Sequence, residues 1–289
     1  MAAVEYLADF TLLPLFIYLW VSLIRSKDTY LNINFYFLFC STGFFEIMSA
    51  VAHNLLILIS FSTEQAWIYT ILIAIRHIGE MAATMGKLFI IIDRHQVMTT
   101  LKGGNIHEYV ITMMLLQIGL PFLTALHLCD YLSAAEGLKV MNGESRWFLY
   151  QGILNIVVCS TYTVLGIGLF VRACFRMIHL LELMGPNDAN DKAIRFFKSM
   201  VEVTASVCIS HSFKAVYQIV AGVLALLNTF DTIIWIPYMD TLNIVTNGIS
   251  MYATPFFLVL FSRRVRQSLQ REVFKKVLNG CKMLRKKTL

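Results

Sequence analysis

Apolar residues in this chain fall in long blocks separated by short polar gaps, without the broad polar side that a helix shows to water. Crossing a hydrocarbon core of about 30 Å takes about 20 mostly apolar helical residues, because only a helix or a closed barrel satisfies its backbone there. Seven such blocks stand out: Leu7–Ile24, Asn32–Ile59, Ala66–Ile92, Tyr109–Leu132, Trp147–Val171, Met200–Leu227 and Ile236–Phe261. The first and fifth are close to uninterrupted, while the second, third, sixth and seventh carry ionisable groups. The pattern predicts an all-α integral membrane protein: a seven-transmembrane helix bundle over residues 1–261, with a cytoplasmic tail over 262–289.

Composition supports this. Of 289 residues, 57% are apolar and 15% charged, against about a quarter charged in ordinary soluble domains, and the mean hydropathy is +0.66. In the first block Glu5 and Asp9 precede the apolar run while Arg25 and Lys27 follow it, the reverse of a secretory signal. That order puts the N-terminus outside. Nineteen of the 24 basic residues then fall in the inner loops and tail, two (Lys139 and Arg146) fall outside, and Arg76, Lys87 and Lys214 lie within spans. Such asymmetry predicts a multi-pass plasma-membrane protein with an extracellular N-terminus and a cytoplasmic C-terminus. The net charge of +6 is then the inner face meeting anionic lipid, and implies no nucleic-acid partner.

The loops are too short for an inserted domain, and the outer surface, mainly Ser133 to Arg146, suits a small-molecule ligand better than a large protein. After Phe261, Val265, Leu269, Val273 and Val277 recur four apart among Arg271, Lys275 and Lys276, which predicts a C-terminal interfacial amphipathic helix. Cys281, beside Lys282, is a palmitoylation candidate. No structural disulfide is expected, because only Cys129 of the six cysteines lies near the outer face.

Charges at mid-bilayer cost about 2.5–3.5 kcal/mol each on insertion scales and face the bundle interior. Glu46, Arg76, Glu80 and Lys214 stand out. Arg76 and Glu80, four apart, can pair on one helix face, which leaves Glu46 as the expected acid for Lys214. These ions either fix helix packing or line a polar cavity that takes a ligand from outside. Asp240 and Asn243, with Asn247, continue the same cavity along the seventh span. His53, His77 and His211 lie at different depths, so neither a metal site nor a cofactor is predicted. Asp93-Arg94-His95 closes the third span at the inner boundary, where Arg94 can be held in one state and released to a cytosolic partner in another. Glu202 is a candidate resting-state acceptor for it.

Seven spans, Asp93-Arg94-His95 and a proline-bearing seventh span followed by a basic helix resemble the G-protein-coupled receptors over nearly the whole chain. The family's Asp-Arg-Tyr motif matches Asp93, Arg94 and His95, with His for Tyr. The departures are several. Thr254-Pro255-Phe256-Phe257-Leu258 replaces Asn-Pro-x-x-Tyr, no Cys opens the third span, the sixth has neither Pro nor Trp, and the seventh has no Lys for retinal. The small format, Ser41-Thr42-Gly43-Phe44-Phe45 and Ser262-Arg263-Arg264-Val265-Arg266 are similar to the nematode serpentine chemoreceptors, in the superfamily of classes gamma and V. That resemblance implies chemosensory signalling in ciliated neurons through a heterotrimeric G protein. It also implies coupling roles for Asp93, Arg94, His95, Pro255, Arg263 and Arg264.

The expected function is therefore a receptor and not an enzyme. The rival is a seven-span small-solute transporter using the same buried ions, although no related halves are evident. An intramembrane metal hydrolase would need clustered ligands that the scattered histidines do not supply.

Overall fold

A computed structural model describes residues 12–22, 33–58, 66–100, 107–129, 146–183 and 188–226, and beyond these residues 242, 245, 246, 248–252, 256, 266, 267 and 270. All of them are helical, and no strand occurs among them. The helices are α1 (Leu12–Ser22), α2 (Ile33–Leu58), α3 (Ala66–Thr100), α4 (His107–Cys129), α5 and α6 (Asp188–Leu226). α5 consists of Arg146–Thr161 and Ile167–Leu183 joined by a π turn at Tyr162–Gly166. The described helical residues from 242 to 256 are called α7.

Helix boundaries agree with the apolar blocks at α2 and α4 and overrun them at α3, α5 and α6. α3 continues past Ile92 to Thr100, so Asp93-Arg94-His95 lies within a helix and not at its end. α5 runs on to Leu183 and α6 starts at Asp188, so most of the polar stretch between the fifth and sixth apolar blocks, Arg172 to Lys198, is helix. Met184-Gly185-Pro186-Asn187 between them lie outside the described residues, and in sequence Gly followed by Pro is a strong helix-stop signal. Polar residues end a lipid-compatible block but need not end a helix, which explains the overrun.

Two stretches among the described residues are long and apolar enough to cross a membrane, Ile156–Arg176 in α5 and Thr204–Leu224 in α6, while Leu12–Ser22 and Tyr109–Ala125 are apolar but shorter. The seven spans read from the sequence are thus met only in part. α3 carries Arg76, Glu80, Lys87, Asp93 and Arg94 along its length, and α7 is described only in pieces. Of the tail, Arg266, Gln267 and Gln270 are helical and exposed. The remainder of the amphipathic stripe, with Cys281, lies outside the described residues.

The distribution of side chains is inverted relative to a water-soluble bundle. On α6, Ile209, Phe213, Val216 and Val220 face outward, while Ser206, Ser210, His211, Lys214 and Gln218 are buried. α4 repeats this, with Leu115, Leu116, Phe122 and Leu123 exposed and Gln117 fully buried, and so does α2, with Phe37, Phe44, Val51 and Leu55 outside and Thr42, Glu46 and Ser49 inside. Buried polar groups and exposed apolar ones are the informative exceptions in any fold. Here they follow the helix period.

α3 is the central element, packing against α2, α4, both halves of α5, the π turn and α6. Its approach to α2 is close because glycines line the seam. A Cβ on Gly79 would sit 2.8 Å from both Phe45 O and Ser49 Cβ, and one on Gly86 would collide with Thr42 Oγ1 and Gln117 Nε2. Gln117 of α4 locks this corner. Its Nε2 donates to Ala82 O (3.0 Å), and its Oε1 accepts from Ser41 Oγ (3.0 Å). Pro121 lies four residues on in α4, and its missing N–H leaves the Gln117 carbonyl outside the helix ladder.

Gly86→Ala should therefore lower unfolding stability by about 1–3 kcal/mol through overpacking. Gly119→Ala, whose Cβ meets nothing within 4 Å, should be neutral or slightly stabilising. Thermal unfolding of the two variants in lipid nanodiscs distinguishes them.

Candidate functional site

Glu80, Lys87 and Arg94 recur every seven residues, and so stand on one face of α3. At about 1.5 Å rise per residue they span about 21 Å along the helix. Each organises a level of the interior.

At the first level Arg76 Nε donates to Glu80 Oε1 at 3.0 Å within α3, as the four-residue spacing predicts. His53 of α2 and Lys214 of α6 act electrostatically on Glu80, and Tyr69 and Tyr217 on Arg76. Lys214 acts on Glu46 as well, but the ion-pair partner of Glu46 is another residue.

That partner defines the second level and corrects the expected Glu46–Lys214 pair. Lys87 Nζ lies 2.5 Å from Glu46 Oε1 of α2, and it donates to Ser250 O (2.7 Å) and Ser250 Oγ (2.8 Å) of α7. An ammonium has three donors, and these three contacts use them all. Lys87 prevails over Lys214 because it stands on the helix directly packed against α2. Ser250 Oγ is also 2.7 Å from His211 Nδ1 of α6, and the His211 ring packs edge-on against Tyr162 with centroids 4.5 Å apart. The π turn brings Tyr162 inward, where its hydroxyl donates to Val207 O (3.3 Å). One chain of contacts thus ties α2, α3, α5, α6 and α7 together.

The third level is the Asp93–Arg94 pair, both side chains completely buried. Arg94 Nε donates to Asp93 Oδ2 at 2.9 Å and Nη2 also meets that oxygen, while Tyr109 of α4 donates to Asp93 Oδ1 at 2.6 Å. The Phe35 ring of α2 covers the guanidinium at 4.8 Å, a cation–π geometry. The acid that holds Arg94 is therefore its neighbour Asp93 and not Glu202, whose backbone carbonyl accepts from Ser206 Oγ. His95, just beyond, faces Arg172 and Arg176 on the extended part of α5. Burial first, then these two cations, hold its imidazole below the ordinary histidine range.

Asp240, Asn243, Pro255, Arg263 and Arg264 lie outside the described residues. Among the described residues no group of three His, Cys, Asp or Glu side chains could hold a metal ion. Of the residues that matter here, Lys87 and Gln117 were within reach of sequence reasoning. Lys87 continues the seven-residue repeat of Glu80 and Arg94, and Gln117 is an amide inside an apolar block. Ser250, Tyr162 and Phe35 carry no such signal.

Glu46→Gln leaves the Lys87 ammonium buried without its carboxylate and should cost about 3–5 kcal/mol. Adding Lys87→Met should recover part of that loss, and a double-mutant cycle on unfolding midpoints measures the coupling. For His95, a folded-state value below the unfolded one means that protonation favours the unfolded chain. Stability attributable to His95 is thus constant above about pH 6.5 and falls as pH drops below it. The unfolding midpoint should decline less between neutral pH and about pH 5 in His95→Gln than in the unaltered chain. No family model matches the chain and no curated protein matches it, so the role of these three levels rests on their own geometry.

Proposed function

We propose that the chain is a seven-helix plasma-membrane receptor that binds a small molecule from the extracellular side and activates a heterotrimeric G protein. The observation that carries this reading is the sealed Arg94. It is the last of three charged levels on the central helix, fully buried under Phe35 and held by Asp93, whose other oxygen accepts from Tyr109. An arginine kept from solvent at that end of the bundle, where the basic loops gather, serves a surface that is closed at rest.

The level above supplies the coupling. Lys87, Ser250 and His211 join α3, α7 and α6, so a ligand that shifts these helices strains the same element that carries Arg94 about 10 Å further in, at about 1.5 Å per residue. Such a ligand acts through its differential contacts with the two states. An outward apolar surface around a polar interior is what a bundle immersed in lipid requires. The excess of Lys and Arg in the inner loops and tail orients it with the N-terminus outside. The resemblance of Asp93-Arg94-His95 and the tail to nematode serpentine chemoreceptors extends the reading to chemosensory signalling in sensory cilia.

In nanodiscs with purified Gα and Gβγ, an active ligand should accelerate nucleotide exchange, and Arg94→Ala should abolish that acceleration. Phe35→Ala, which uncovers the guanidinium, should raise exchange without ligand. Full acceleration in Arg94→Ala would remove the mechanism, and termini found on the same side of the membrane by epitope labelling would remove the architecture.

A further inference from the structure

Among the described groups of the two upper levels, three cations, Arg76, Lys87 and Lys214, face two carboxylates, Glu46 and Glu80. Each carboxylate is already paired, Glu80 with Arg76 and Glu46 with Lys87. No ion pair to Lys214 occurs among the described residues, although Lys214 is 9% exposed and acts electrostatically on Glu46, Glu80, Lys87, Cys159 and His211. Its charge therefore sits inside the bundle, between α2, α3 and α5, where an uncompensated charge is strongly disfavoured.

A second observation comes from His211, one helical turn before Lys214 on the same face of α6. Ser250 Oγ accepts from Lys87 and lies 2.7 Å from His211 Nδ1. The serine still has its own proton to give, and Nδ1 receives it, so the imidazole proton belongs on Nε2. That Nε2 is buried and has no hydrogen-bond partner among the described residues. Among the described residues, then, Lys214 has no carboxylate of its own and the His211 Nε2–H has no acceptor, one turn apart on the same helix.

We propose that Lys214 and His211 receive a monovalent anion, its charge against the Lys214 ammonium and a lone pair accepting from the His211 Nε2–H. The chemistry is that of a monocarboxylate or a halide, with Tyr162 and Cys159 of α5 as the wall. A neutral amide of the same shape lacks the charge and is refused. This rests on the reading that the interior admits a small molecule, and it names that molecule's charge.

The test is thermal unfolding of the full chain in nanodiscs, in sodium sulfate at fixed ionic strength, with benzoate, benzamide and chloride as probes. A saturable rise in midpoint with benzoate and none with benzamide assigns the site to an organic carboxylate. A rise with chloride that benzoate does not exceed assigns it to a halide. Lys214→Met should weaken the apparent affinity by roughly tenfold or more, and Lys214→Arg should retain most of it. If Lys214→Met does not fold, the benzoate and benzamide pair on the unaltered chain decides. Absence of any saturable anion effect, an equal effect of benzamide, or an undiminished effect in Lys214→Met would overturn the proposal. No G protein is present, so this result and the nucleotide-exchange result stand or fall separately.

Discussion

An ammonium taken out of water needs three acceptors, and Lys87 obtains them from two helices that are far from it in sequence: one from Glu46 on α2 and two from Ser250 on α7. The requirement is severe in an interior surrounded by apolar side chains, because no solvent replaces a missing partner. It holds α3 at a set height and rotation against both neighbours. The remaining polar groups of the interior are placed relative to it, His211 through the shared Ser250 hydroxyl and Arg94 through the seven-residue repeat along α3.

That geometry depends on close backbone approach. Gly79 and Gly86 allow α2 against α3, and a methyl group at Gly86 would displace both Thr42 and Gln117. On the opposite side, the π turn at Tyr162–Gly166 shifts the register of α5 so that Tyr162 reaches His211 and Val207. Small residues and one irregular turn thus stand where the polar network needs room, as is common for π segments near functional groups. The two ends of α3 differ in character. Toward Arg76 the ions retain some exposure, whereas Asp93 and Arg94 have none.

Much of the helix map was legible because lipid imposes a coarse rule. Apolar blocks and described helices coincide at α2 and α4. They part company after Ile92 and Val171, because hydropathy marks what lipid tolerates while helix formation continues through Asp93, Arg94, Arg172 and Arg176. The Arg76–Glu80 pair was legible since both partners sit one turn apart on the same helix. The partner of Glu46 was not. Lys87 and Lys214 are equally isolated lysines in apolar blocks, and the choice between them depends on which helix packs against α2.

By itself, the sequence determined the helical class, the inward placement of the mid-block charges, and the Arg76–Glu80 pair made within a single helix. Each of these is local, set by the period of a helix or by the chemistry of a block. Tertiary structure alone decided that Lys87 meets Glu46 and Ser250, that Phe35 and Tyr109 close over the Asp93–Arg94 pair, and that Lys214 is left facing paired carboxylates. Those outcomes depend on the relative height and rotation of separate helices, which side-chain packing at Gly79, Gly86 and Tyr162 sets and no one-dimensional pattern encodes.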